Sequence, residues 1–250
     1  MAMAATRAAD EPVRIALWAV PRSVSTAFER VFVERDDAMV LHEPFSHAYY
    51  FGEERRSDRY ADQPPVPDRT FEAVREQVLE VDDAPIVFMK DMAYQASPLD
   101  DLAFYGRFRN TFIIREPREA LASLARKWPQ FTAEEAGYEE QGRLFDLVTA
   151  ELGQPPVVVD ATDLRRRPQQ TIEAYCSAVG IPHRADALQW QARPVDIWQD
   201  WAGWHDDAEQ SQGIEPPTPA PAEPLPPQLE AVVEQCRPVY QRLHAARLAV

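Results

Sequence analysis

The sequence predicts a three-layer α/β protein, a central parallel sheet of about five strands with helices on both faces. Two observations carry that reading. Five short apolar runs, Ile15 to Val20, Ala38 to Leu41, Pro85 to Met89, Thr111 to Ile114 and Pro155 to Asp160, are rich in β-branched residues and lack strict alternation. Such runs suit strands buried on both faces. Between them lie segments with apolar residues at helical spacing, and strands alternating with helices favour parallel connections.

Taken in order, residues 1–12 read as a disordered tail without an apolar signal core, followed by one domain over 13–250. Val13 to Val33 gives strand, polar turn and helix, with Ala27, Phe28, Val31 and Phe32 on one face. A short strand from Ala38 runs into His42-Glu43-Pro44. Residues 49–68 mix charge, proline and aromatics without a period and read as a long loop or lid. A helix is predicted over 70–81, with Thr70 as N-cap. The third strand ends in Lys90-Asp91, and Ser97 to Phe104 reads as a short helix. The fourth strand ends at Arg115, and Pro117 opens a helix reaching Lys127, where its missing N–H removes no bond. Thr132 to Leu152 reads as one long helix. After the fifth strand, Pro168 to Val179 forms a helix stopped by Gly180. Arg184 to Gln191 suggests a further helix, and Asp196 to Gly213 is a tryptophan-rich stretch. Residues 215–227 hold seven prolines and read as an extended linker, and Gln228 to Leu248 closes the chain as an amphipathic helix.

The formal net charge of −15 over 250 residues argues against a nucleic-acid partner, which would want a basic face. No apolar run of about 18 residues marks a membrane span. Cys176 and Cys236 have no metal-type spacing, so two buried thiols in a reducing, cytoplasmic setting are expected. The oligomeric state stays open. In so acidic a chain, clustered basic residues are informative.

The turn after the first strand is the first such cluster. Strand, tight turn and helix start direct backbone N–H groups outward at the positive end of a helix dipole, an arrangement suited to an anion. Ser23, Ser25 and Thr26 add hydroxyls, and Arg22 adds a permanent charge. The turn lacks the glycines and lysine of a Walker A loop. A second cluster is Arg115, at the carboxyl end of a strand where open α/β sheets bind ligands, with Ser123 on the next helix. The plainer alternative is a structural ion pair between Arg115 and a nearby carboxylate.

Pro21-Arg22-Ser23-Val24-Ser25-Thr26 resembles the 5′-phosphosulfate loop of sulfotransferases that use 3′-phosphoadenosine 5′-phosphosulfate (PAPS), which runs Pro-Lys/Arg-Ser-Gly-Thr/Ser-Thr. Arg115 and Ser123 are similar to that family's arginine and serine for the 3′-phosphate. Val157 to Leu164, followed by Pro168 and Gly180-Ile181-Pro182, is similar to its strand, turn, helix and stop. The resemblance spans Ile15 to Pro182. It implies the P-loop-like sulfotransferase fold and an enzyme that moves a sulfuryl group from PAPS to a hydroxyl or amine of a small-molecule acceptor. The product would be 3′-phosphoadenosine 5′-phosphate (PAP), and no metal is required. Arg22, Ser23, Val24, Ser25, Thr26, Ala27, Arg115 and Ser123 would bind the donor.

There are departures. Val24 replaces the usual glycine, so the loop is expected to avoid a left-handed conformation there. Ala27 and Ala161 stand where aromatic residues often meet the adenine, with Phe28 adjacent to the first. The C-terminal Gly-x-x-Gly-x-x-Lys loop is missing. Ser211-Gln212-Gly213 is the candidate replacement, with Arg193 or Arg184 supplying charge. Met92 occupies the position of the family's usual histidine base. Other branches use a glutamate about twenty residues after the first loop, which makes Glu43, at the end of the second strand, the first candidate base, Asp91 the next, and His42 and His47 neighbours. Lys90 would contact the transferring sulfuryl group. Tyr49, Tyr50, Phe51, Tyr94, Trp198, Trp201 and Trp204 suggest an aromatic pocket. The rival readings are a noncatalytic nucleotide-binding protein on the same fold and a nucleotide-dependent kinase.

Overall fold

The computed structural model describes residues 11–201, 203–217 and 224–250. The expected tail over 1–12 and the middle of the proline-rich segment therefore fall largely outside the described residues. The elements are β1 (Val13–Ala19), α1 (Ser25–Val33), β2 (Ala38–His42), α2 (Ser46–Phe51), α3 (Phe71–Glu80), β3 (Ile86–Met92), α4 (Ala93–Ala96), α5 (Leu102–Tyr105), β4 (Arg109–Ile114), α6 (Pro117–Lys127), α7 (Tyr138–Asp146), β5 (Val158–Asp160), α8 (Ala161–Arg166), α9 (Pro168–Ala178), α10 (Asp206–Gln210) and α11 (Pro227–Ala245). All strand pairs are parallel, in the order β2-β3-β1-β4-β5.

Register decides which side chain meets which layer, because successive residues of a strand face opposite sides. Leu17 of β1 aligns with Lys90 and Thr111, and Lys90 with His42. This face is covered by α1 and α9: Phe32 stacks on Phe88 at 3.7 Å, and Tyr175 shares a hydrogen bond with Thr111. Trp18, Asp91 and Phe112 belong to the opposite face, where Trp18 packs on Tyr105 and Phe112 on Phe145. Helix, sheet and helix thus form three layers. Residues 15–20 are fully buried, as a central strand requires. On the β5 edge, residues past α11 fold back. The Leu248 N–H donates to the Val158 carbonyl at 2.9 Å, blunting an exposed strand edge.

Several elements differ from the sequence expectation. The predicted long helix over 132–152 is broken at Gly137, which has φ +83°. A Cβ there would lie 3.2 Å from Pro21 and from Tyr94, so the break belongs to the packing beneath the turn that follows β1. Of the helix expected over Ser97 to Phe104, only a single turn forms, α5, which runs from Leu102 to Tyr105. The loop expected over 49–68 begins late, since Tyr49 to Phe51 complete α2. Residues 184–191 make only a short 3₁₀ turn, Ala185–Leu188.

Candidate active site

A cavity of about 570 Å³ opens beyond the carboxyl ends of β1, β3 and β4. Pro21, Arg22, Val24, Ser25, Thr26 and Ala27 form one wall, Glu43 and Met92 the floor, and Arg115 and Arg165 the far side. Tyr50, Tyr94, Trp128, Trp201 and Trp204 complete it, with Arg59 among them.

The turn from Pro21 to Thr26 is strained. Val24 has φ 68° and ψ 14°, the left-handed conformation it was expected to avoid. The helix demands it: the Val24 carbonyl already accepts the first α1 bond, from the Phe28 N–H at 3.1 Å, so the reversal from β1 must be completed at this residue. Positive φ occurs at only four non-glycine residues among those described, and three of them, Arg22, Val24 and Glu43, line this cavity. Backbone strain gathers where surrounding structure overrides local preference for a purpose.

Arg22 ties the two basic clusters together. Its Nε donates to Ser123 Oγ at 3.0 Å, and its carbonyl accepts from Arg115 Nη1 at 2.9 Å. Arg115 also meets Glu119 at 3.2 Å on the solvent side, so the plainer ion pair exists beside the cavity role. Ser123 faces an adjoining cavity of about 310 Å³ with Arg126, Lys127 and Trp204. Ser23 faces neither cavity: it is fully buried and its hydroxyl donates to the Val20 carbonyl.

Glu43 and Lys90 form the second centre. The Lys90 ammonium, fully buried, donates to Glu43 Oε1 at 2.5 Å. Lys90 thus reaches the cavity through Glu43 and does not line it. Burial pushes the Glu43 carboxyl up, but Lys90, His42 and His205 outweigh it and bring it down to about 2. Glu43 is therefore an ionised carboxylate at every ordinary pH. Oε2 accepts no hydrogen bond from the described residues.

A chain of buried groups runs beside this pair. Glu29 accepts from Trp198 Nε1 at 2.9 Å and faces His42 Nδ1 at 2.8 Å. His42 Nε2 lies 3.1 Å from His205 Nε2, and His205 Nδ1 lies 3.2 Å from Thr26 Oγ1. Side-chain donor atoms of His42, Glu43 and His205 lie within 4.8 Å of one another, close enough for a divalent cation. The Lys90 charge against Glu43 and the hydrogen bonds already held by the imidazoles make the cluster a network in its own right.

Other sequence candidates fall elsewhere. Asp91 is on the opposite sheet face from Lys90, as alternation dictates. Its oxygens accept from the Phe45 and Met92 N–H groups, and it is fully buried, so it cannot reach an acceptor in the cavity. Arg184 and Arg193 pair with Asp36 and Glu34 and are not cavity residues. His47 pairs with Asp200 at 3.1 Å. Phe28 is core, between Phe88 and Tyr175. Of the expected aromatics, Tyr50, Tyr94, Trp201 and Trp204 line the cavity, and Tyr49, Phe51 and Trp198 do not. Ser211 and Gly213 do line it. Arg59, Arg165 and His205 line the cavity without a mark in the sequence: the first two stand in arginine-containing stretches without a fixed motif, and His205 sits in a segment with no period.

The model for a sulfotransferase domain matches residues 13–247, and the chain belongs to that family. Among solved structures, it is similar to a sulfotransferase from Alicyclobacillus acidocaldarius, with a TM-score of 0.51, 13% identity and 94% coverage of each chain. It is similar also to the sulfotransferase domain of a Synechococcus olefin synthase, with a TM-score of 0.50, 15% identity and coverage of 92% and 96%. At such identities these share the fold. Among curated proteins, it is 27% identical over 237 residues to branched-chain-amino-acid aminotransferase-like protein 2 of Arabidopsis thaliana, covering 90% of this chain and 40% of that one. The chain therefore spans about two-fifths of that relative's length.

Proposed function

We propose that residues 13–250 act as one catalytic unit that transfers a sulfuryl group from PAPS to a hydroxyl, or an amine, of a small-molecule acceptor. The observation that carries this reading is the meeting of the strained turn with Arg115 and Ser123 through Arg22, with Glu43 on the floor of the same cavity. The N–H groups opening α1, with Arg22, would hold the 5′-phosphosulfate. Arg115, with Ser123 behind Arg22 and Arg165 nearby, would hold the 3′-phosphate end. Ser211, Gly213 and their neighbours would stand in for the absent glycine-rich loop.

The acceptor would enter from the side of Tyr50, Tyr94 and Trp201. Its oxygen forms the new bond to sulfur as the bond from sulfur to the phosphate oxygen breaks, and the electron pair leaves with PAP. Arg22 and the turn N–H groups stabilise that leaving oxygen. The acceptor's proton passes to Glu43 Oε2. A carboxylate near 2 is a weak base, but in a loose transition state proton loss follows most of the bond making, when the oxygen is strongly acidic. Lys90 keeps Glu43 ionised and in place.

Two measurements test the reading. PAP should bind far more tightly than AMP or ATP in the absence of magnesium, and label from PAPS should appear on one member of a phenol and alcohol panel. Equal affinity for the three nucleotides would overturn the donor assignment. Met92, lining the cavity where the family's histidine is usual, favours a second reading, a noncatalytic nucleotide-binding protein. Tight PAP binding without transfer to any acceptor would select it.

A further inference from the structure

The protons available to the chain of hydrogen bonds from Glu29 to Thr26 constrain what Thr26 can offer the cavity. Three links join the four groups: Glu29 to His42, His42 to His205, and His205 to Thr26. Each link needs one hydrogen. A carboxylate, two neutral imidazoles and a hydroxyl bring three, and these fill the links in only one direction. Glu29 can only accept, so His42 Nδ1 carries hydrogen and Nε2 accepts from His205. His205 Nδ1 is then an acceptor, and the Thr26 hydroxyl must donate to it. In that state Thr26 offers only lone pairs to the cavity, opposite the place where an anion would lie. One further proton on the chain reverses the last two links. His42 donates to His205 Nε2, His205 Nδ1–H donates to Thr26, and the Thr26 hydroxyl is released towards the cavity.

We propose that Glu29, His42 and His205 are positioning residues that make Thr26 a hydrogen-bond donor to the bound anion, by holding one proton more than their neutral count on the Glu29–His42 pair. The inference rests on the donor reading above. The surroundings agree with where the charge is placed. Burial, Lys90 and His42 push the His205 imidazole down to about 3, so His205 passes the link without holding the charge. The His42 side chain, 2% exposed, has carboxylates on two sides, Glu29 at 2.8 Å from α1 and Glu43 at 3.9 Å beyond β2. The opposing charges are Lys90 from β3, which Glu43 holds at 2.5 Å, and Arg22 from the turn, which acts on His205. Trp198 gives Glu29 a second donor and fixes its orientation.

The signature is a tautomer. With PAP bound to the unaltered chain, long-range proton–nitrogen correlation spectra should show His205 neutral and protonated at Nδ1, with its resonances identified by their loss in His205→Gln. His205 protonated at Nε2 in that complex would overturn the proposal while leaving the donor reading intact. A second readout is linkage. Once pH exceeds the point where the free chain loses its extra proton, PAP affinity should fall by up to about tenfold per pH unit. The phosphates of PAP titrate as well, so the comparison is with His42→Gln, which can donate to His205 without a charge and should lose this limb. A limb unchanged in His42→Gln would count against the proposal. Thr26→Val should weaken PAP about ten- to a hundred-fold, the worth of a hydrogen bond to a charged group. PAP that does not bind the wild-type protein at all would overturn the donor reading and this proposal with it.

Discussion

At Glu43 three demands meet in one residue. Its backbone has φ 42°, its N–H donates to the Lys90 carbonyl at 2.7 Å, and one of its oxygens is taken by the Lys90 ammonium. The sheet thus continues one bond beyond β2 and places the other oxygen at the cavity floor. Glu43→Gln keeps the shape but cannot take a proton. Turnover with an alcohol acceptor should fall about a hundred-fold or more, with PAP binding nearly unchanged; a phenol, already acidic, should lose less. A normal rate with both would remove Glu43 from the reaction. The same pair shapes acid stability. A carboxyl held at about 2 in the fold but near 4.5 when unfolded contributes stability that is fully present above the higher value and is lost as pH falls towards the lower. That contribution is on the order of 3 kcal/mol. Lys90→Met should abolish this part of the acid-unfolding profile and lower stability at neutral pH by about 3–5 kcal/mol, because it leaves a buried carboxylate uncompensated. An acid-unfolding curve like that of the wild type would contradict the buried pair.

The turn after β1 is held by the elements behind it. A left-handed β-branched residue costs about 1–2 kcal/mol, which a glycine would not incur. Val24→Gly should therefore be nearly neutral in denaturant unfolding, whereas Val31→Gly, in the buried middle of α1, should lose about 3 kcal/mol or more from the cavity and the helix. Equal losses would mean that the turn is unstrained. Arg115→Ala should weaken PAP by about ten- to a hundred-fold without unfolding the chain, and wild-type indifference to the 3′-phosphate would remove that role from Arg115. Most of this arrangement was legible in the sequence, because strand runs and the Pro21 to Thr26 and Arg115 motifs are local patterns. What stayed hidden is non-local. Nothing local predicted the break at Gly137, since its cause is Pro21 and Tyr94 packed above it. Alternation puts Asp91 and Lys90 on opposite faces of the sheet, but only the packing shows which of those faces leads to Glu43. His205 reaches Thr26 across 179 positions, a distance that no spacing rule spans.

For the whole molecule, the decisive contrast is between a formal charge of −15 and a cavity where Arg22, Arg59, Arg115 and Arg165 outnumber Glu43, Asp207 and Glu215. An anionic ligand must cross a repulsive exterior to reach an attractive interior, so added salt should speed association while weakening the final complex. Stopped-flow binding of PAP against ionic strength would show the two trends, and a rate falling with salt would mean that local cavity charge dominates the approach. Arg59 makes that experiment practical. Its guanidinium lies 3.9 Å from the ring centre of Trp128 and 5.0 Å from that of Trp204, with Trp201 on the same cavity wall. Indole emission responds to a nearby cation and to displaced water, so a ligand that shifts Arg59 would alter the protein's own fluorescence. The cavity carries a built-in optical reporter, and occupancy could be followed in real time without a label on either partner.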